Sequence, residues 1–309
     1  MCPAHGLALT GTVECNRIRS NKQLKDVGRS GLIGVYPSIG SRPKLTSGGL
    51  WMKGLLRKIQ KHQFLFEELV KRDFKQKYKR TVLGMGWSIL SPLLTLLVLR
   101  MVFTQFFGRH MPHYTTYIFA GNLMFSFFRE STNGGMNALM SNAHIFAKIN
   151  VPKYIFLLTK NVSAIINFGL TLLVFFLFAA VDGVTFSWKW ITLLYPIFCL
   201  LLLNIGMGLI LSALFVFFRD IAYLYDVFTM LLMYMSAIFY TVDGYAPSIQ
   251  RLFLLNPVFC AIKYVRLVVL DGAIPSLGFH LLLLGYAALA LLLGGWIYKK
   301  KNHEFLYYV

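Results

Sequence analysis

The chain is 309 residues long, 57% hydrophobic and only 14% charged, with a formal net charge of +19. That apolar share excludes an ordinary soluble domain, and a chain this apolar makes a poor nucleic-acid partner despite its positive charge. Four cysteines, Cys2, Cys15, Cys199 and Cys260, lack paired spacing or neighbouring histidines, which argues against a disulfide framework or a zinc site.

The basic excess is concentrated at the start, where residues 1–80 hold 17 Lys or Arg against five acids. Beside a first apolar run, such a composition places the N-terminal side in the cytoplasm and draws it to anionic lipid. Residues 1–51 are rich in Gly, Ser and polar residues without apolar periodicity, so they are expected to form a disordered basic tail, and Met52 is a candidate start of translation. Over residues 52–80 the pattern turns helical: Leu55, Ile59, Phe64, Phe66, Leu69, Val70 and Phe74 alternate with Arg57, Lys58, Lys61, Lys71, Lys75 and Lys79. This predicts an amphipathic helix lying in the membrane interface, too charged to cross it.

Six apolar runs follow: Val82 to Phe107, Tyr114 to Met140, Tyr154 to Ala180, Trp188 to Phe218, Ile221 to Thr241 and Leu277 to Tyr298. Each is near or above the ~20 residues that cross ~30 Å of hydrocarbon. The expected fold is therefore all-α, a six-span domain over residues 81–309. Lys148 and Lys153 follow the second run, Arg219 the fourth and Lys299 to Lys301 the sixth. The rule that basic loops stay inside then places both termini in the cytoplasm. Between the fifth and sixth runs, Val242 to Ser276 is half apolar, in pieces too short to span. It predicts two short re-entrant helices hinged near Asn256 and Pro257.

Charges inside the runs need partners. Arg100 lies near enough to one edge to snorkel out. Arg129 and Glu130 are deeper, and as helix neighbours they point to different faces, so each is expected to pair elsewhere. Lys160, Ser163, Asn167 and Thr171 fall on one face of the third span, which either joins helices by hydrogen bonds or lines a conduit. Asn204, Gly208 and Ser212 form a small-residue ridge suited to close helix approach. Among the many aromatics, Trp87, Phe125, Phe127, Phe128, Tyr234, Phe239 and Tyr240 could offer stacking faces to a sugar, although most rings must face lipid or core. Lys263 and Arg266, at i and i+3, share a face and are expected to meet an anionic phosphate of a cargo.

The run from Leu69 to Leu93, with Arg72, Asp73, Tyr78, Leu83, Gly84, Trp87 and Pro92, resembles the opening of ABC-2 type permeases that export teichoic acid, O-antigen and capsular polysaccharide. Phe127 to Glu130, followed by Asn142, Phe146, Lys148, Pro152 and Lys153, looks like that family's second span and coupling helix. Arg219 with Asp220 resembles its motif between spans four and five, and Asn256, Pro257, Arg266 and Gly272 its outer re-entrant segment. One stretch departs: where relatives carry prolines after span five, this chain reads Ser236-Ala-Ile-Phe-Tyr-Thr241.

The resemblance implies a permease subunit in the bacterial cytoplasmic membrane, paired with a second copy of itself and exporting a lipid-linked glycan or polyol-phosphate polymer. No phosphate-binding Gly-x-x-x-x-Gly-Lys-Ser/Thr loop occurs, so ATP and Mg are expected on a separate ATPase subunit, with no cofactor on this chain. The expected ATPase-coupling residues are Asn142, Ile145, Phe146, Lys148, Pro152 and Lys153, with Phe146 inserted into a groove of the partner. Arg72, Asp73, Lys77 and Tyr78 mark the interfacial helix. Glu130, Tyr240, Asn256, Pro257, Lys263 and Arg266 mark the cargo path or gate. A drug or small-lipid exporter of the same family shares most of these features. A membrane-embedded glycosyl- or acyltransferase needs convergent acids, whereas Asp182, Asp220, Asp226, Asp243 and Asp271 are dispersed along the chain.

Overall fold

The structure, a computed structural model, describes residues 63–79, 81–107, 112–149, 151–302 and 304–308. The expected tail over 1–51 and the first part of the 52–80 helix lie outside these residues. Every regular element among the described residues is helical: α1 (Gln63–Tyr78), α2 (Trp87–Phe107), α3 (Tyr114–Asn137), α4 (Ala143–Phe146), α5 (Tyr154–Val181), α6 (Leu194–Phe217), α7 (Ile221–Met235), α8 (Pro247–Phe253), α9 (Pro257–Val269), α10 (Leu277–Lys301) and α11 (Phe305–Tyr308). Short 3-10 turns lead into α2, α4 and α6. α2, α3, α5, α6, α7 and α10 fall on the six apolar runs, with α7 ending six residues before its run does.

By length and composition, α5, α6 with its 3-10 lead, and α10 each suffice to cross a membrane, and the bent pair α8–α9 passes the same test jointly. α7, at 15 residues, is short, and α3 carries Arg129 and Glu130 in its body. The chain is thus an integral membrane protein, with three to four candidate spans by that measure among the described residues.

α6 lies between α3 and α10, and glycine makes this possible. A Cβ on Gly206 would overlap the backbone of Ala290 in α10, and one on Gly294 would sit 2.5 Å from the Gly206 carbonyl oxygen. On another face of α6, Gly208 meets Gly135 of α3, so the ridge read in the sequence is a packing surface. Side chains of the largest core cluster, including Phe119, Phe175, Leu200, Tyr264 and Leu283, fill the space around these crossings.

Helix ends are set by specific partners. Asp182, just after α5, accepts hydrogen bonds from Thr116 Oγ1 (2.6 Å) and the Thr116 backbone N–H, filling the role of an N-cap for α3. Asn256 caps α9: its Oδ1 accepts from the N–H groups of Val258 (2.9 Å) and Phe259, and Pro257 occupies the first helical position. The bend between α8 and α9 is 107°, at the hinge expected near Asn256 and Pro257. α7 stops at Met235, six residues before the Thr241 expected from apolarity, because the carbonyls beyond it are held by side chains of other helices.

Candidate functional site

Two clusters of polar side chains stand at opposite ends of α3. At the first end, α1 is fastened to the bundle by charge. Arg72 donates to Asp73 Oδ1 (2.8 Å) and to Asn142 Oδ1 (2.7 Å), and the Lys160 ammonium on α5 lies 2.9 Å from Asp73 Oδ2. The Lys160 contact is an ion pair set off the hydrogen-bonding axis, since Asp73 Oδ2 makes no hydrogen bond of good geometry. The Asp73 side chain is only 5% exposed, so this carboxylate depends on its two cations. One turn along α1, Lys77 Nζ donates to Glu130 Oε1 (2.7 Å), which also accepts from Asn167 Nδ2 (2.6 Å). Glu130 therefore pairs away from Arg129, as its helix position required. Lys160 and Asn167, on the polar face of the third span, join helices. Tyr78 forms the last residue of α1.

Below this clasp, Phe146 is 6% exposed and packs with Leu69, Ile155, Phe156, Val216, Tyr298 and Phe305 of its own chain. In this structure the Phe146 ring fills the chain's own core, where the sequence reading placed it in a partner's groove. Asn142 is likewise fully buried, with its Nδ2 donating to the Ala138 carbonyl (2.8 Å) while its Oδ1 holds Arg72. What α4 and its flank present outward is His144, Lys148 and Ile149, with Ile145 half-buried. The helix itself is a single turn, and Pro152 stands beyond it, its carbonyl accepting from Ile155 N–H at the start of α5.

Lys153 was legible as a basic residue, but its partners were not. Its ammonium donates to the Asn302 carbonyl and sits between the rings of Phe146 (5.8 Å) and Phe305 (5.4 Å), tying the C-terminal segment under the loop. Burial pushes its pKa below the usual lysine value. Phe305 is fully buried against Tyr298 and Phe217. The sequence signal was only a Phe a few residues past a lysine run.

At the other end of α3, four consecutive carbonyls after α7 are each taken by a side chain. Arg266 Nη1 donates to Ala237 O (2.9 Å) and Nη2 to Ile238 O (2.8 Å), Tyr114 OH donates to Phe239 O (2.8 Å), and Tyr117 OH to Tyr240 O (2.8 Å). Arg266 also donates from Nε to the Tyr117 carbonyl and from Nη1 to the Tyr117 hydroxyl, and stacks 3.4 Å above that ring. Gly121 leaves the room: a Cβ there would lie 2.7 Å from Arg266 Nη2. Arg266 is thus buried, and four of its five N–H donors are spent inside the protein. The shared face with Lys263 that suggested a cargo phosphate is, at Arg266, packed into the core. Lys263 is half-buried on the same helix.

Tyr240, also half-buried, returns its hydroxyl to the Tyr234 carbonyl (2.7 Å). Asn256, besides capping α9, donates from Nδ2 to Ser236 Oγ (3.0 Å) and to Met235 O. The candidate gate residues Tyr240, Asn256, Pro257 and Arg266 are therefore gathered at one break in the backbone, while Glu130 belongs to the α1 clasp. Tyr114 and Tyr117 escaped sequence reasoning, although their i, i+3 spacing on one face was visible.

A family model described as the ABC-2 type transporter matches residues 65–270, from α1 through α9. The chain belongs to the ABC-2 type transporter family. Relatives of this ABC-2 chain include the O-antigen export system permease protein RfbA of Myxococcus xanthus, 24% identical over 256 residues, which span 81% of this chain and 97% of that protein. Two proteins of the same name from Klebsiella pneumoniae are 26% and 27% identical over 216 and 218 residues, in each case 68% of this chain and 83% of theirs. The ABC-2 match contains both clusters, and the C-terminal segment bearing α10 and Phe305 lies beyond it.

Proposed function

We propose that the chain is the membrane-spanning permease subunit of an ABC exporter that moves a lipid-linked polysaccharide, of the O-antigen, teichoic acid or capsule type, outward across the bacterial cytoplasmic membrane. The observation that carries this reading is the family match over α1 to α9, joined to relatives named as O-antigen export permeases along most of their length. In this reading the six long helices are the spans, α8 and α9 are the re-entrant pair in the outer leaflet, and both termini face the cytoplasm. α1 is the interfacial helix of the 52–80 segment.

ATP and Mg act on a separate ATPase subunit, which docks beneath α1 and α4 at the exposed His144, Lys148 and Ile149. A second copy of the chain covers the apolar faces that α2 and α7 leave bare, at Leu97, Val98, Met101, Leu224, Val227 and Leu231. Outside a membrane, faces of that size would be aggregation sites, whereas lipid or a second copy satisfies them.

The test is deletion of the gene in its own cell. Surface polysaccharide should disappear, with lipid-linked polymer accumulating on the cytoplasmic side, and the chain together with its ATPase should restore export. Undiminished surface polysaccharide in the deletion strain would refute the cargo class.

A further inference from the structure

We infer that residues 236–241 are a helix-to-coil switch at the outer end of the permease, held unwound by Arg266 together with Tyr114 and Tyr117. Ser236-Ala-Ile-Phe-Tyr-Thr241 has neither proline nor glycine, so nothing in its own backbone stops α7 at Met235. The one unusual backbone conformation is Ala237 at φ 48°, the left-handed region that a Cβ disfavours, and Ala237 is fully buried. The break is therefore imposed by tertiary contacts.

Those contacts can be traced carbonyl by carbonyl. Leu232 O accepts from Ser236 Oγ, Met233 O from Ser236 N–H, Tyr234 O from Ala237 N–H and the Tyr240 hydroxyl, and Met235 O from Asn256 Nδ2. Ala237 O to Tyr240 O are then taken in turn by Arg266, Arg266, Tyr114 and Tyr117. The acceptors are satisfied by donors from α3 and α9, which is how irregular backbone survives at membrane depth. The amides of residues 238–241 have no backbone acceptor among the described residues. Continuing α7 by its own rule would give them Tyr234 to Ala237 carbonyls as partners. The same apolar segment thus has two hydrogen-bonded states, and α3 and α9 supply the donors for only one of them.

The rewound state has a definite size. α7 extended through Thr241 is roughly 21 residues and about 31 Å long at 1.5 Å per residue, a full crossing, against about 22 Å for its 15 residues now. Rewinding would withdraw residues 237–240 from Tyr114 and Tyr117, and so part α7 from α3 and α9. We assign Arg266 as the positioning residue of this outer gate. The gating role rests on the export reading, whereas the rewinding does not.

The experiment measures hydrogen exchange in the full-length protein in lipid nanodiscs, with and without its ATPase, alongside export in cells. In the wild type, amides 238–241 should exchange at least about tenfold faster than those of 231–235. Arg266→Met, which keeps an apolar stem and removes every donor, should slow exchange at 238–241 toward the α7 rate and abolish export. Tyr114→Phe, which removes one donor and no charge, should do so in part. Ala237→Gly favours the left-handed turn and disfavours helix, so added to Arg266→Met it should restore fast exchange by a factor on the order of five. If Arg266→Met does not assemble, Tyr114→Phe and Ala237→Gly alone still shift the exchange in opposite directions. Unchanged exchange at 238–241 in Tyr114→Phe and in every Arg266 variant that assembles would overturn the switch. Slowed exchange with normal export would keep the rewinding and overturn its role as a gate.

Discussion

Asp73→Ala tests the clasp that holds α1 to the bundle. The carboxylate is 5% exposed, while its partners Lys160 and Arg72 are 23% and 38% exposed. Removing one member of a fully buried pair costs about 3–5 kcal/mol, chiefly by stranding the other charge. Here both cations reach water in part, and Arg72 keeps Asn142 as an acceptor, so solvent screening reduces the cost to about 2 kcal/mol. For a chain of this size that is a fall of roughly 3 °C in unfolding temperature. The assay is thermal unfolding of the purified permease in one fixed detergent, with the ATPase absent so that docking does not contribute. A second substitution, Lys160→Met, should recover most of the loss, because it removes the stranded cation while keeping its apolar stem. An unfolding temperature within a degree of wild type, or a double variant whose losses simply add, would refute the clasp.

The remaining predictions concern packing and docking. Gly206→Ala drives a Cβ into the Ala290 backbone and should part α6 from α10, costing about 1–3 kcal/mol, whereas Gly285→Ala, with open space around its Cβ, should leave the unfolding temperature unchanged. Phe146→Asp places a carboxylate among Leu69, Ile155 and Phe156 and should destabilise the isolated permease by about 3 kcal/mol or more; a normal unfolding temperature would return this ring to the partner's groove. Ile149→Asp, on the exposed flank of α4, should instead leave stability within about 0.5 kcal/mol of wild type and reduce ATPase stimulation in membranes that hold both subunits. Phe305→Ala removes the buried ring below Lys153 and should cost about 3–5 kcal/mol. It should also speed tryptic cleavage after Lys148 and Lys153, and unaltered cleavage would show that the C-terminal segment does not brace the loop.

The helices were legible because apolar run length is a property of the chain alone: the six runs fall on α2, α3, α5, α6, α7 and α10 to within a few residues at most ends. The hinge at Asn256 and Pro257 was legible for the same reason, since a cap followed by proline is local chemistry. Burial was not. The family resemblance of their loop points Phe146 and Asn142 toward a partner, and i, i+3 spacing with Lys263 points Arg266 toward a cargo, but neither signal carries burial. Which side of a one-turn helix meets the core depends on elements distant in sequence, here Leu69, Val216 and Phe305. The end of α7 was misread in the same way. Apolarity carried the run to Thr241, and what stops the helix is a guanidinium from α9 and two phenols from α3.

These two clusters meet in one element. α3 carries Tyr114 and Tyr117 at its first turn and Glu130 nearly four turns after Tyr117, roughly 20 Å along the axis. Between them Ile118, Phe119, Ala120, Leu123, Met124 and Phe127 are buried in close-packed clusters, which leaves that stretch little freedom to bend or twist. The Lys77–Glu130 pair joins α1 to one part of this stretch, and Tyr114 and Tyr117 at its other end hold the Phe239 and Tyr240 carbonyls. In the export reading, a single closely packed helix thus links the α1 clasp to the break after α7, and Glu130→Gln, which removes the charge that Lys77 holds, should lower export while leaving the hydrogen bonds of Tyr114 and Tyr117 in place.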